Sequence, residues 1–265
     1  MNETPKDSWA SGDAYEPYVG RWSRLVAREF LSRLAVSEGS QWLDVGCGTG
    51  ALSQTILQFT NPNSVTGIDR SEDYVNFAKQ HTQDSKVQFR VGDAEALTDD
   101  SETFDAAVSG LVLNFILHPE RTVAEMTRVT RTGGLVAAYV WDYAGEMQFM
   151  RHFWDAAAAL DPGAIELDEG RRFPICQPDA LGALFKSAGL QHVEGCPINI
   201  PTTFRDFDDY WSPFLGGQGP APSYLMSLSE ERRLTLRERI RAGLPFASDG
   251  SIPLITRAWA VRGHR

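Results

Sequence analysis

The sequence predicts an α/β fold built on a doubly wound parallel sheet, and three observations carry that prediction. Short apolar runs alternate with amphipathic stretches of helical period between residues 41 and 141, the pattern that βαβ crossovers impose. The first run, Trp42-Leu43-Asp44-Val45, empties into Gly46-Cys47-Gly48-Thr49-Gly50, a loop whose glycines admit a tight turn and a close approach to a ligand. Later runs end at Asp69, at Gly92-Asp93-Ala94 and at Gly110. In a sheet wound by right-handed crossovers all of these positions fall on the carboxyl edge, where open α/β sheets bind their ligands.

Taken in order, residues 1–14 are polar and read as a loose tail. The stretch from Tyr15 to Arg24 mixes aromatic and cationic residues and leads into a helix with Leu25, Val26, Phe30, Leu31 and Leu34 at helical spacing. Residues 1–36 thus form an N-terminal flap and helix, for which two readings stand. The leader is either held by aromatic packing alone or folds over a cofactor, with Arg21 facing a carboxylate. Strand one is Gln41–Val45, followed by a helix over Ala51–Phe59 and a turn at Asn61-Pro62-Asn63-Ser64. Val65–Asp69 is strand two, and Ser71 caps a helix over Glu72–His81. Strands three and four are Val87–Val91 and Phe104–Gly110. Pro119 opens a helix that turns Val123, Met126 and Val129 inward and stops before Gly133-Gly134, and Leu135–Trp141 is strand five.

Beyond Trp141 the rhythm changes. A helix over Phe149–Leu160 is broken by Asp161-Pro162-Gly163, and one over Pro178–Ala188 ends at Gly189. Strands are expected over Leu190–Cys196 and Ile255–Val261, and the insertion between them, residues 201–250, exceeds an ordinary connection. It is either a small satellite core or a substrate lid with an aromatic wall, and long insertions at a crevice favour the lid. The chain reads as one domain over 1–265, with its cofactor-binding core at 38–142.

Composition sets the outer limits. With 265 residues, 42% hydrophobic and 23% charged, one sizeable core is expected. A net charge of −10 without a dense Lys/Arg block disfavours a nucleic-acid partner. No basic head with an apolar core opens the chain, and no run approaches the roughly 18 apolar residues of a membrane helix. Cys47, Cys176 and Cys196 lack metal-ligand spacing, so no metal site and a reduced, cytoplasmic setting are expected.

As a bare pattern, Gly46-x-Gly48-x-x-Ala51 satisfies the dinucleotide fingerprint, with Asp69 placed to hold a ribose. Gly50, the preceding Asp44 and the Gly92-Asp93-Ala94 turn pull away from NAD, because a carboxylate in that turn can accept from an adenine amino group. With Thr66-Gly67-Ile68-Asp69, Glu95-Ala96-Leu97, Phe104-Asp105-Ala106 and Gly133-Gly134 in the same order, the chain resembles the class I S-adenosylmethionine-dependent methyltransferases. Within them it is similar to the type 11 group, which includes ubiquinone and menaquinone biosynthesis methyltransferases. The resemblance implies a Rossmann-like, seven-stranded, mostly parallel sheet in the order 3-2-1-4-5-7-6, with the inserted helical lid. It implies S-adenosylmethionine as cofactor and S-adenosylhomocysteine as product. Gly46, Gly48 and Gly50 would line the methionine part beside Asp44 and Cys47, and Asp69 would bind both ribose hydroxyls. Gly92, Asp93 and Ala94 would read adenine with Arg70 at its flank, while Ser109, Gly110 and Asn114 would lie near the amino end. Tyr18 and Arg21 would approach from the flap.

Methyl transfer from a sulfonium is an in-line displacement, served by a dry site that aligns the nucleophile, and an acceptor that is already nucleophilic needs no base. Were one needed, His118, Asp142, Tyr143 and His152 are the candidates, His118 reading more simply as a helix-start residue. The exit of strand four, Ser109-Gly110-Leu111-Val112-Leu113-Asn114, lacks the Asn/Asp-Pro-Pro-aromatic pattern of amino-group methylation on adenine or glutamine. With the acidic charge this favours a small organic acceptor, with Tyr15, Trp141, Trp211 and Phe214 as candidate substrate contacts. The competing readings are a non-catalytic S-adenosylmethionine-binding protein and an NAD-dependent oxidoreductase.

Overall fold

The computed structural model describes residues 20–216 and 219–265; Tyr15 and Tyr18 lie outside the described residues, as does the side chain of Arg21. After helix α1 (Arg21–Leu31) the chain alternates β1 (Gln41–Val45), α2 (Ala51–Phe59), β2 (Ser64–Asp69), α3 (Glu72–His81), β3 (Val87–Val91) and β4 (Phe104–Gly110). A 3₁₀ turn at Leu113–Phe115 leads to α4 (Pro119–Val129) and β5 (Thr130–Trp141). Then come α5 (Gln148–Leu160), the short α6 (Glu169–Arg172), α7 (Pro178–Ser187) and β6 (Gln191–Phe204). Helices α8 (Phe207–Trp211), α9 (Pro220–Ser227) and α10 (Glu230–Gly243) precede β7 (Ile252–His264).

The seven strands form one sheet in the order β3-β2-β1-β4-β5-β7-β6. Pairing is parallel from β3 through β5, with Asp44 opposite Gly67 on one side and Val108 on the other. β7 closes on β5 antiparallel, Trp141 opposite Ala258. Helical and strand periods alternate as expected, and the caps follow the local chemistry. Ser71 Oγ accepts from the Tyr74 amide at 3.3 Å, and Pro119 opens α4. Leu25 departs from the expected core stripe: it is exposed, while Val26, Phe30, Leu31 and Leu34 are buried.

β5 begins at Thr130, earlier than the Gly133-Gly134 pair suggests. Gly133 takes φ +80°, and the pairing with β4 shifts register between Phe104 and Ala106, so the glycines form an irregularity inside a strand that still continues. β6 and β7 also outrun their apolar cores at both ends or one, because strand pairing carries polar residues along with it.

The described residues fall into two compact units. One holds Trp22–Trp141, Ile175–Ile198 and Ala258–Arg265; the other holds Asp142–Pro174 and Asn199–Arg257. The second therefore reaches well beyond the expected 201–250 insertion. Its centre is a set of aromatic rings: Phe214 stands 4.6 Å from both Phe149 and Phe153, and Phe204 and Tyr210 stand 5.3 and 5.2 Å from Phe149. The Tyr210 hydroxyl donates to the Phe149 carbonyl at 2.9 Å, which satisfies the polar end of a buried ring.

This second unit also buries a carboxyl. Glu169 accepts from the Trp154 indole N–H, and burial pushes it up to about 8. The folded state thus keeps a proton that the unfolded chain releases near pH 4.3, so stability falls as pH rises from about 4.3 to about 8. Glu169→Gln is expected to flatten that slope and to raise the melting temperature at pH 8 more than at pH 5, as thermal melts at the two pH values would read.

Candidate functional site

The carboxyl ends of β1, β2 and β4 gather the expected residues on one edge of the first unit. The amides of Gly46 and Cys47 both donate to the Ile68 carbonyl, at 2.7 and 3.0 Å, which ties the glycine loop to the end of β2. The three loop glycines turn out to have different reasons. Gly46 takes φ +74°, and a Cβ there would stand 2.5 Å from Val112 Cγ1. At Gly50, φ +88°, it would press on Ala78 and Phe89 at 3.3 Å. At Gly48, φ +51°, it would meet nothing within 4 Å. Of the three, only Gly48 faces open space, while packing against Val112 and against Ala78 and Phe89 already requires glycine at 46 and 50.

That difference is testable. Alanine in the left-handed region costs about 1–2 kcal/mol. Gly48→Ala is expected to melt slightly below the native chain while losing nucleotide affinity, whereas Gly46→Ala, with Val112 in the way, is expected to lose more stability. Paired melting and binding measurements separate the two.

Asp69 ends β2 with both carboxylate oxygens already oriented: Oδ2 accepts from the Gly48 amide and Oδ1 from the Ser71 amide, each at 2.9 Å. Burial nonetheless raises its pKa, opposed by those two hydrogen bonds and by Arg70. Asp44 is buried beneath the loop. Its Oδ2 accepts from Ser53 Oγ at 2.7 Å, while its Oδ1 has no partner among the described residues. Burial, with Asp69 adding to it against the Ser53 hydrogen bond, lifts Asp44 to about 7. The Cys47 thiol is pushed well up by burial and by both aspartates, the reverse of what a nucleophile requires.

The neighbouring ends complete the edge. Gly92 donates its amide to the Asp69 carbonyl at 3.0 Å, and Asp93, exposed, turns the chain by accepting from the Glu95 amide at 2.9 Å. Ala94 is half-buried and Arg70 exposed. Ser109 Oγ donates to the Val45 carbonyl at 2.8 Å, so that side chain joins β4 to β1 and leaves only backbone for a ligand. A Cβ on Gly110 would stand 2.5 Å from the Tyr139 hydroxyl oxygen. Asn114, buried in the 3₁₀ turn, has a side-chain nitrogen without a partner among the described residues.

The candidates for a base fare differently. His118 precedes α4, its amide donating to Glu95 Oε1 at 3.2 Å and its ring 3.5 Å from Glu120, as a helix-start residue would be. In the second unit, Asp142 accepts from the amides of Gly145 and Glu146 at 3.1 and 2.9 Å, which makes it a turn former. Tyr143 is buried with its ring 5.8 Å from Phe173, and His152 is half-buried, its pKa lowered by that burial. Trp141, Trp211 and Phe214 are all buried. Phe214 belongs to the aromatic core of its unit, which corrects its expected place on an open pocket wall.

Ser53, bonded to Asp44, and Val112, packed against Gly46, also belong to the loop's surroundings without standing out in the sequence. The signal for Ser53 was present, a small polar residue among Leu52, Thr55 and Ile56 on the inward face of α2.

Residues 43–138 match the family model described as Methyltransferase domain. A ubiquinone biosynthesis O-methyltransferase of Coxiella burnetii is 29% identical over 111 residues, 41% of this chain and 47% of that protein, so the match spans about half the relative's length. A demethylmenaquinone methyltransferase of Staphylococcus carnosus is 28% identical over 185 residues, 64% of this chain and 76% of that protein. Among solved structures, a Haemonchus contortus phosphoethanolamine N-methyltransferase 2 in complex with S-adenosyl-L-methionine superposes with a TM-score of 0.58. At 16% identity, over 96% of this chain and 56% of that one, it speaks to the fold alone. Residues 43–138, which carry the glycine loop and Asp69, are thus similar to the methyltransferase domain that this family model describes, and the strand order agrees with that likeness.

Proposed function

We propose that this chain is an S-adenosylmethionine-dependent methyltransferase acting on a small organic acceptor. The observation that carries the reading is a pair of buried orphans on one sheet edge, an acceptor at Asp44 Oδ1 and a donor at Asn114 Nδ2. A ligand ending in an α-amino acid offers an ammonium to the first and a carboxylate to the second. NAD offers neither, and a buried group left unpaired costs about 1–3 kcal/mol. Asp69, already oriented by the Gly48 and Ser71 amides, has lone pairs for the two ribose hydroxyls. Gly48 lets backbone approach the methionine part, and Gly92, Asp93 and Ala94 face adenine. The donor supplies an electrophilic methyl group when bound; the chain's own part is to orient it and keep water away.

The names of the relatives favour a quinol-type ring as acceptor, whose hydroxyl or ring carbon takes the methyl group and releases its proton to solvent. Incubating the purified chain with S-adenosylmethionine and a panel of quinols, phenols and amines is expected to release S-adenosylhomocysteine with the first group. Binding of the donor without product across the panel would support a non-catalytic binder instead. Tight NAD binding with no affinity for S-adenosylmethionine would overturn the reading.

A further inference from the structure

Ser53 is fully buried on α2, and its hydroxyl is bonded to Asp44 Oδ2. Asp44 itself is 1% exposed, with Oδ1 unpaired among the described residues. A carboxylate kept out of water with one oxygen unmatched destabilises the fold, and the arrangement makes sense if something else matches that oxygen. Among the described residues, the groups that act on Asp44 are Ser53 from α2, Asp69 from β2 and the Cys47 thiol from the loop, and none of these is a cation. On the β4 side its register partner is Val108, and the Ser109 hydroxyl next to it is bonded to the Val45 carbonyl.

We propose that Ser53 is a positioning residue: it fixes Asp44 so that the free oxygen receives the α-ammonium of the methyl donor, which seats in exchange for a proton on Asp44. This rests on the methyl-donor reading above. In the free protein the carboxyl holds its proton up to about pH 7, because burial and Asp69 disfavour the charge. The ammonium favours the ionised form, so the proton leaves to solvent as the ligand seats. Affinity therefore falls on acidification below about pH 7, approaching tenfold per pH unit. The Ser53 hydroxyl stabilises the ionised carboxylate, so its removal moves that acid limb to higher pH.

Two probes separate this from the reading beneath it. S-adenosylhomocysteine carries the amino-acid end, and 5′-deoxy-5′-methylthioadenosine lacks it. Titration calorimetry on the full chain between pH 6 and 8, in buffers of different ionisation heat, is expected to show proton release and a several-fold acid weakening for the first probe alone. Ser53→Ala is expected to shift the acid limb upward by about half to one pH unit, and Ser53→Thr, which keeps the hydroxyl, to restore it. Asp44→Asn is expected to bind weakly with a flat profile. Should Ser53→Ala fail to fold, proton release in the native chain and its loss in Asp44→Asn still decide. A flat, proton-neutral profile for S-adenosylhomocysteine in the native chain overturns the proposal while leaving the methyl-donor reading in place. Failure of both probes to bind overturns both.

Discussion

Asp69→Ala is expected to weaken S-adenosylmethionine binding by at least about 100-fold while the circular dichroism spectrum stays native. Two hydrogen bonds from ribose hydroxyls to a carboxylate are worth about 1.5–3 kcal/mol each, and losing both removes about 3 kcal/mol or more. The same carboxylate holds the amides of Gly48 and Ser71, so the substitution also releases the glycine loop from one anchor. A modest fall in melting temperature should accompany the binding loss. Asp69→Asn keeps one carbonyl oxygen and is expected to fall between the two. Unchanged affinity in the alanine variant would remove Asp69 from the site.

Phe214→Ala is expected to cost about 3–5 kcal/mol of stability, the range for emptying a buried aromatic position. Its ring lies 4.6 Å from the centroids of Phe149 and Phe153 and is fully buried, so no neighbour can fill the gap without leaving its own contacts. The loss belongs to the second unit. Hydrogen exchange should rise in Phe149–Leu160 and Phe207–Trp211 while β1 to β4 stay protected. A residue on an open substrate wall would instead change acceptor KM at nearly constant melting temperature, so the two measurements together decide between the roles.

The glycine loop, Asp69 and the strand order were legible in the sequence because each has a local cause. A strand ending in Gly46-x-Gly48-x-Gly50 must turn sharply, and a periodic alternation of strands and helices leaves few topologies. Phe214 was not legible. An aromatic residue in an insertion reads the same whether it lines a pocket or fills a core, and only its neighbours Phe149 and Phe153 from α5, 65 and 61 residues earlier in the chain, settle which. Asp142 hid its local role for the opposite reason: a carboxylate after a strand suggests chemistry, and only the structure brings the amides of Gly145 and Glu146 against it. Ser53 was hidden by its ordinariness, since one hydroxyl in a helix gains meaning only from Asp44 on the strand beneath.

The strand pairing also has a consequence for the order of folding. Residue 141 of β5 pairs with residue 258 of β7, and the chain between them builds nearly all of the second unit. As the polypeptide leaves the ribosome, β1 to β5 can assemble first, but the outer side of β5 waits, its backbone amides and carbonyls open to any passing strand. The closing strand arrives after a long detour and makes the pairing of greatest sequence separation in the sheet, the kind that forms slowly. Nascent chains halted before residue 258 are therefore the species in which this protein is most exposed to aggregation.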